Sequence, residues 1–339
     1  MFRNARLVSI LIVLSLALAA CAAATTAPTA AVPPTTANTA APAPTTSAPT
    51  NTPAPTAVPP TNTPAATSTP PAPTPVATIP ASSLSQNTKL LICSDFPYPP
   101  QEFFDDKGNP QGMDVEIGNE IAARLGLTPQ WVNSVFDTII AAVQGGKCDI
   151  IISAMNITTD RNKSVSMIPY FQAGQGILVQ KGNPNNINGQ DDLCGKPVAA
   201  ESGTTEAFYI SGTSDYAGKG LPQECAKIGK PAATLVSTQK DTDALLQLQT
   251  NKVVAYMSDS PVAAYYVVQQ PDQFQLVGQV VEPVIEGINM PCSEKDCTNA
   301  ALSPIGAAVK AALQSMMADG TYLKILTKWD LSNSAVTLK

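Results

Sequence analysis

The 339-residue sequence predicts an α/β fold with largely parallel sheets. Three observations carry that expectation. From Lys89 onward, short apolar runs alternate with stretches whose apolar residues recur every three or four positions. Clusters of Gly, Asn, Asp and Pro separate the two kinds of segment. The order strand, glycine turn, helix then returns in the second half of the chain.

The first 20 residues are set apart. "MFRNARLVSILIVLSLALAAC" has two arginines, a 14-residue apolar run from Leu7 to Ala20, and small residues before Cys21. That is the pattern of a secretory signal peptide over 1–20, and the run is shorter than the roughly 18 residues a spanning helix needs. "LAAC" resembles a bacterial lipobox, which implies cleavage before Cys21 and lipidation of its sulfur; the alternative is an ordinary signal that happens to contain a cysteine. Residues 21–88 then read as the lipidated Cys21 and a disordered tether. Ala22 to Thr88 is dominated by Ala, Thr, Pro and Ser, holds 16 of the 31 prolines and has no charged residue. Such a composition buries no core.

The remainder, 89–339, is long enough for one large domain or two smaller lobes. The formal charge of −6 becomes −8 once Arg3 and Arg6 leave with the signal, which disfavours a nucleic-acid partner. Histidine is absent, so Ser-His triads, imidazole acid/base chemistry and most zinc sites are excluded, while carboxylate or lysine chemistry is not. No cofactor or metal is expected. Of seven cysteines, Cys21 is assigned to lipid, leaving six in an exported chain, which permit 15 pairings.

Element by element, Leu90, Leu91 and Ile92 form a short apolar strand running into the proline-rich "SDFPYPPQEF". "DDKGNPQG" is a turn before a helix in "GMDVEIGNEIAARLG", where Ile117, Ile121 and Leu125 are four apart, acids fill the first turn and Gly126 is a stop. Phe136, Ile139, Ile140 and Val143 mark a second helix, and "CDIIIS" a buried strand ending at Ser153. "MNITTDRNKS" resembles a helix start with Thr158 or Thr159 as N-cap, but Arg161 stands where a capping box wants Glu or Gln. A cation there opposes the helix dipole, so it either sits in solvent or is held to meet an anion. "PVAAESGTTEAFYI" is strand, glycine turn, helix; "ALLQLQTNKVVAYMSDSPVAAYYVV" is helix, strand, helix, with Pro261 early in the last. In such folds ligands bind beyond the carboxyl ends of strands, which directs attention to Asp95, Ser153, Gly203 to Thr205 and Asp259.

Six segments in this order, "SDFPYPPQEF", "GMDVEIGNEIAARLG", "FDTIIAAVQGGKCDIIISAMNITTDR", "SGTTEAF", "VVAYMSDSPVAAYYV" and "DGTYLKILTKWD", resemble the extracellular solute-binding proteins of polar amino acid ABC transporters, family 3. The resemblance covers Lys89 to about Asp330. It implies a periplasmic-binding-protein-like type II fold: two α/β lobes, 89–178 plus 284–339 and 179–283, joined by two hinge crossovers and closing on one amino acid. Pairing within lobes then puts Cys93 with Cys148, Cys194 with Cys225 and Cys292 with Cys297. The family pattern places Arg161 on the ligand α-carboxylate and Asp259 on its α-ammonium. Tyr98 and Phe136 would sandwich the side chain, Ser153, Thr204 and Thr205 would add hydroxyl or backbone donors, and Asp95 would lie near the side-chain end.

The residues themselves suit a zwitterion: Arg is a planar bidentate donor for a carboxylate, and "SGTT" at a helix start offers backbone N–H groups to the same anion. Plainer roles stand beside these. Asp259 would cap the helix at Pro261, Tyr98 would be loop packing, Phe136 helix core, and Ser153 or Thr204 turn-satisfying hydroxyls. The chain departs from the family at Ala154 and Asn156, where Gly or Ser and Ser or Thr are usual, at Met113 in the "G-F-D" signature, and at "GINMPCSEKDC". Asp95 and Glu201 together would favour a basic side chain by charge complementarity, unless Glu201 faces solvent or a neighbouring strand. The expected protein is a monomeric, non-enzymatic, lipid-anchored extracytoplasmic receptor that passes a polar or basic L-amino acid to an ABC permease. ATP hydrolysis would belong to a partner, since no GxxxxGK[ST] motif is present. An amino-acid-sensing adaptor for a signalling receptor, and a dehydratase-like enzyme on the same fold, are the competing readings.

Overall fold

A computed structural model describes residues 75–293 and 297–338. The signal at 1–20, Cys21 and the tether as far as residue 74 lie outside the described residues. From residue 75 the chain is already laid on the fold. The Val76 N–H donates to the Arg124 carbonyl at 2.9 Å, Ile79 packs on the first core and Leu84 is buried in it. The tether expected to run to residue 88 therefore ends earlier, because Ile79 and Leu84 interrupt its polar composition and find apolar surface to cover.

In chain order, β1 (Lys89–Ser94) leads into a small ribbon of β2 (Phe103–Phe104) and β3 (Pro110–Gln111), then α1 (Met113–Arg124), β4 (Thr128–Asn133), α2 (Phe136–Gln144) and β5 (Ile150–Ile151). After the long β6 (Val165–Gln180) come β7 (Pro197–Glu201), α3 (Thr205–Ser211), α4 (Leu221–Lys227), β8 (Thr234–Thr238), α5 (Asp241–Gln249), β9 (Ala255–Asp259) and α6 (Ser260–Gln269). A second long strand, β10 (Phe274–Pro291), returns to α7 (Pro304–Ala318) and α8 (Thr321–Lys328).

Eight strands form one sheet in the order β4-β1-β5-β10-β6-β9-β7-β8. At one end β1 is parallel to β4 and β5; at the other β7 is parallel to β8 and β9. Between them β6 and β10 run antiparallel over nearly their full length and carry the chain from one half to the other, with register shifts between Val277 and Val281, Val281 and Val284, and Glu286 and Gly287. The lobe borders expected at 178/179 and 283/284 fall inside these two strands. Packing changes hands slightly earlier on β6: Phe171 and Ala173 belong to the first core, Ile177 and Val179 to the second.

The periodicities read from the sequence place these cores. Ile117 and Ile121 on α1 are fully buried against Leu90 and Ile92 of β1 and against Val309 and Leu313 of α7. Each such side chain contributes roughly 1.5–3 kcal/mol by leaving water. In the other half Val198 and Ala200 of β7 meet Ile210 of α3 and Met257 of β9. All three expected disulfides are present: Cys93–Cys148, Cys194–Cys225 and Cys292–Cys297, with Cα atoms 5.7, 5.5 and 4.5 Å apart.

One local expectation is corrected. The helix start read at Thr158–Arg161 is a single 3-10 turn, Arg161–Lys163, in which the Thr158 hydroxyl accepts the Arg161 N–H at 3.1 Å. A turn of three residues sums almost no dipole, so a cation there meets little opposition.

Candidate functional site

The carboxyl ends of β1, β5, β7 and β9 point to one cleft between the halves of the sheet, and a nearly shut cavity of about 10 Å³ lies there. Nine of the eleven expected site residues line it. Asp95 follows β1 and Tyr98 lies in the loop beyond; Phe136 is the first residue of α2; Ser153, Ala154 and Asn156 follow β5. From the other half come Glu201 at the end of β7, Thr204 before α3 and Asp259 at the end of β9. Glu102 and Glu206 complete the lining.

The backbone explains two small residues. Ala154 has φ +44°, the left-handed region where glycine is at ease, and its N–H donates to Asp114 at 2.9 Å. Gly203 has φ +80°, and a Cβ there would lie 2.9 Å from Asp137 Cα across the cleft. Its bare Cα lets the two halves approach this closely.

Asp259 and Tyr98 tie the halves together. The Tyr98 hydroxyl donates to Asp259 Oδ2 at 2.8 Å and accepts the Asp259 N–H at 3.0 Å. Asp259 occupies the N-cap position of α6, yet its side chain makes no capping bond, so the plain capping role is not what holds it. Its Oδ1 is buried with no partner among the described residues, as are Oε1 of Glu201, Oε1 of Glu206 and Oε2 of Glu102. Burial, and then the neighbouring Glu206, push the Asp259 carboxyl well above its usual range. Burial likewise raises Glu206.

Arg161 does not line the cavity; it borders an adjoining outer cavity of about 210 Å³ with Phe136 and Gly203. Its guanidinium donates to the carbonyls of Asn156 and Gly203, both at 2.8 Å, and lies 5.4 Å from the centre of the Phe136 ring. A guanidinium has five N–H donors, so these two bonds leave others for an anion. Burial lowers the Arg161 pKa, opposed by Glu206 and Asp259. Thr205 also stands outside the lining, its hydroxyl donating to Asn156 Oδ1 across the cleft at 2.6 Å.

Two expected donors are engaged in the scaffold. Thr204 caps α3, accepting the Ala207 N–H at 3.2 Å while donating to the Glu201 carbonyl at 2.7 Å. Ser153 accepts the Asp95 N–H at 2.9 Å and donates to Glu102 at 2.7 Å. Asp95 in turn accepts the Phe136 N–H at 2.5 Å, and its other oxygen pairs with Lys240. Glu201 is buried rather than facing solvent; burial and then Asp95 push its carboxyl up to about 10, so it is protonated at neutral pH.

Sequence reading missed Glu102, Glu206, Lys240 and the Gly203 carbonyl. A signal for Lys240 existed: "TLVST" is β-branched strand sequence, β8, and Lys240 stands just beyond its carboxyl end. Behind the cavity, Asp114 and Glu286 join the lining residue Glu102, all three wholly buried around the Tyr170 hydroxyl, which donates to Asp114 at 2.8 Å; burial raises the Asp114 carboxyl to about 6. Among the described residues no group of three or more Cys, Asp or Glu is placed to hold a metal ion. None of the described helices is long and apolar enough to cross a membrane.

The chain is similar to known proteins in sequence and in fold. The family model of bacterial extracellular solute-binding proteins, family 3, matches residues 90–332. The chain is 24% identical over 233 residues to ABC transporter arginine-binding protein 1 of Escherichia coli strain K12, covering 68% of this chain and 86% of the relative. A solved structure of an ancestral arginine-binding protein bound to arginine is 31% identical, with TM-score 0.61, covering 71% of this chain and 98% of that one. A third similarity is to AncCDT-1, an ancestral amino acid-binding protein and precursor of cyclohexadienyl dehydratase: 29% identity, TM-score 0.60, and 74% and 98% coverage.

Proposed function

The chain belongs to the bacterial extracellular solute-binding proteins, family 3, and from that premise we propose that it is an extracytoplasmic receptor which binds a polar or basic L-amino acid and delivers it to an ABC permease. The observation that carries the reading is a buried acceptor with no partner among the described residues, Asp259 Oδ1, in the inner cavity, and a buried guanidinium with donors to spare, Arg161, bordering the cavity that adjoins it. An α-ammonium supplies three N–H donors to the first, and an α-carboxylate accepts a fork from the second. Relatives named for arginine binding support the ligand class.

The two halves of the sheet act as lobes, with 89–178 and 284–339 on one side and 179–283 on the other. A ligand touching both stabilises the closed arrangement, and β6 and β10 serve as the hinge. Cys21 carries the lipid that holds this monomeric receptor at the cell membrane. The protein is not an enzyme in this reading: Glu201 and Asp95 are absorbed by each other and by Lys240.

The test is thermal unfolding of the mature chain against a panel of amino acids. At about 100 times the dissociation constant, linkage adds about 2.7 kcal/mol of stability, a midpoint shift of roughly 5–10 °C for a domain of this size. The expected result is such a shift with one or two amino acids, lost in Arg161→Ala. No shift with any amino acid, in protein freed of bound solute, would sink the receptor reading. Turnover of a prephenate-like substrate would replace it with the enzymatic one.

A further inference from the structure

The cleft has two electrostatic poles. At one, Asp259, Glu206, Tyr98 and Arg161 influence one another. At the other, Asp95 is surrounded by Lys240, Phe136 and Glu201. This second pole is where the ligand side chain would lie, and its chemistry differs from what Asp95 and Glu201 suggest when read alone.

Both oxygens of Asp95 are occupied. One accepts the Phe136 N–H at 2.5 Å and the other pairs with the Lys240 ammonium, which arrives from just beyond β8, 145 residues away in sequence. The side chain of Asp95 is 5% exposed and that of Lys240 is 24% exposed, so the pair is largely shielded from water. Glu201 stands beside them, also buried, with Oε1 lacking a partner among the described residues. Asp95 and Lys240 cancel, and a buried carboxyl with no cation of its own remains a neutral acid. The pole therefore carries no net charge. It offers a mixed set of groups: a carbonyl acceptor from Glu201, whose O–H is donated to Asp95, and an ammonium donor and a carboxylate acceptor from the ion pair.

We propose that this pole is built for an uncharged, hydrogen-bonding side chain such as a carboxamide, and that Lys240 is the specificity-determining residue that disfavours a cationic one. The proposal rests on the amino acid reading of the cleft. A carboxamide presents a C=O to the donors and an NH₂ to the acceptors, matching both. A guanidinium or ammonium is repelled by Lys240 or must displace it from Asp95, losing an ion pair to make another.

The experiment is calorimetric titration of the full chain and of Lys240→Met with glutamine and arginine, both proteins first stripped of bound solute. Methionine keeps the aliphatic stem and removes only the charge. The expected result is that the wild-type protein binds glutamine at least tenfold more tightly than arginine, and that Lys240→Met moves the arginine-to-glutamine affinity ratio at least tenfold toward arginine. Adding Asp95→Asn to Lys240→Met should return the preference to glutamine, since the unpaired carboxylate is then gone. An affinity ratio unchanged within twofold in Lys240→Met, or tighter arginine than glutamine binding by the wild type, overturns the proposal while leaving the receptor reading intact. Binding of no amino acid across a full panel by either protein overturns both.

Discussion

Gly203→Ala separates strain present in every state from strain present only when the cleft is shut. Gly203 has φ +80°, and an alanine forced into that region costs about 1–2 kcal/mol whether or not the halves meet. The new Cβ would also sit 2.9 Å from Asp137 Cα on the opposite half. Carbon atoms prefer roughly 3.5–4.0 Å, so the gap must widen by roughly 0.6–1 Å or the closed state must absorb a clash of about 2 kcal/mol. Opening the cleft relieves the clash and leaves only the backbone strain. The unfolding midpoint without ligand is therefore expected to drop by about 2–8 °C, and amino acid affinity to fall roughly thirtyfold. The assay pairs calorimetric titration with thermal unfolding on the same preparations. A variant that loses the expected stability but binds its amino acid within threefold of wild type would refute the reasoning, because the Gly203–Asp137 approach would then not belong to the bound state.

Two further outcomes concern stability. Asp114, Asp241 and Glu201 are raised by burial to about 6, about 7 and about 10. Unfolded carboxyls titrate near 4, so between the two values the folded state holds more protons and stability falls as pH rises, by at most about 1.4 kcal/mol per unit for each group. The midpoint should accordingly rise on going from pH 8 to pH 5 in scanning calorimetry; a flat or opposite trend would show that these groups ionise freely in the fold. The disulfides span sequence separations of 55, 31 and 5 residues, for which chain entropy gives about 4.2, 3.7 and 2.1 kcal/mol. Removing each pair as Cys→Ala should follow that order in denaturant unfolding, and equal losses for Cys93/Cys148 and Cys292/Cys297 would discount the entropic account.

Much of the architecture was legible along the chain because it rests on short-range regularities. Four-residue spacing of Ile117, Ile121 and Leu125 specifies a helix face whatever lies opposite, and a glycine turn between "PVAAE" and "TTEAF" specifies a strand-to-helix junction. The rule that ligands gather beyond strand ends pointed to Asp95, Ser153, Thr204 and Asp259, all of which line the cavity, and the family resemblance added Tyr98 and Phe136, which line it too. Where the local pattern was faint, reading failed. Arg161 begins a single 3-10 turn, and β8, five residues long and partly exposed, left Lys240 unremarked.

The charge of the site was decided by folding alone. Asp95 and Glu201 look like two anions when written in a row, yet Lys240, 145 residues from Asp95, neutralises one, and burial keeps the other protonated. The Tyr98–Asp259 pair, 161 residues apart, is equally invisible to any window along the chain. Side-chain type and periodicity are properties of near neighbours in the sequence. Ionisation depends on how much water is excluded and which opposite charge comes within a few ångströms, and only the packed chain sets either.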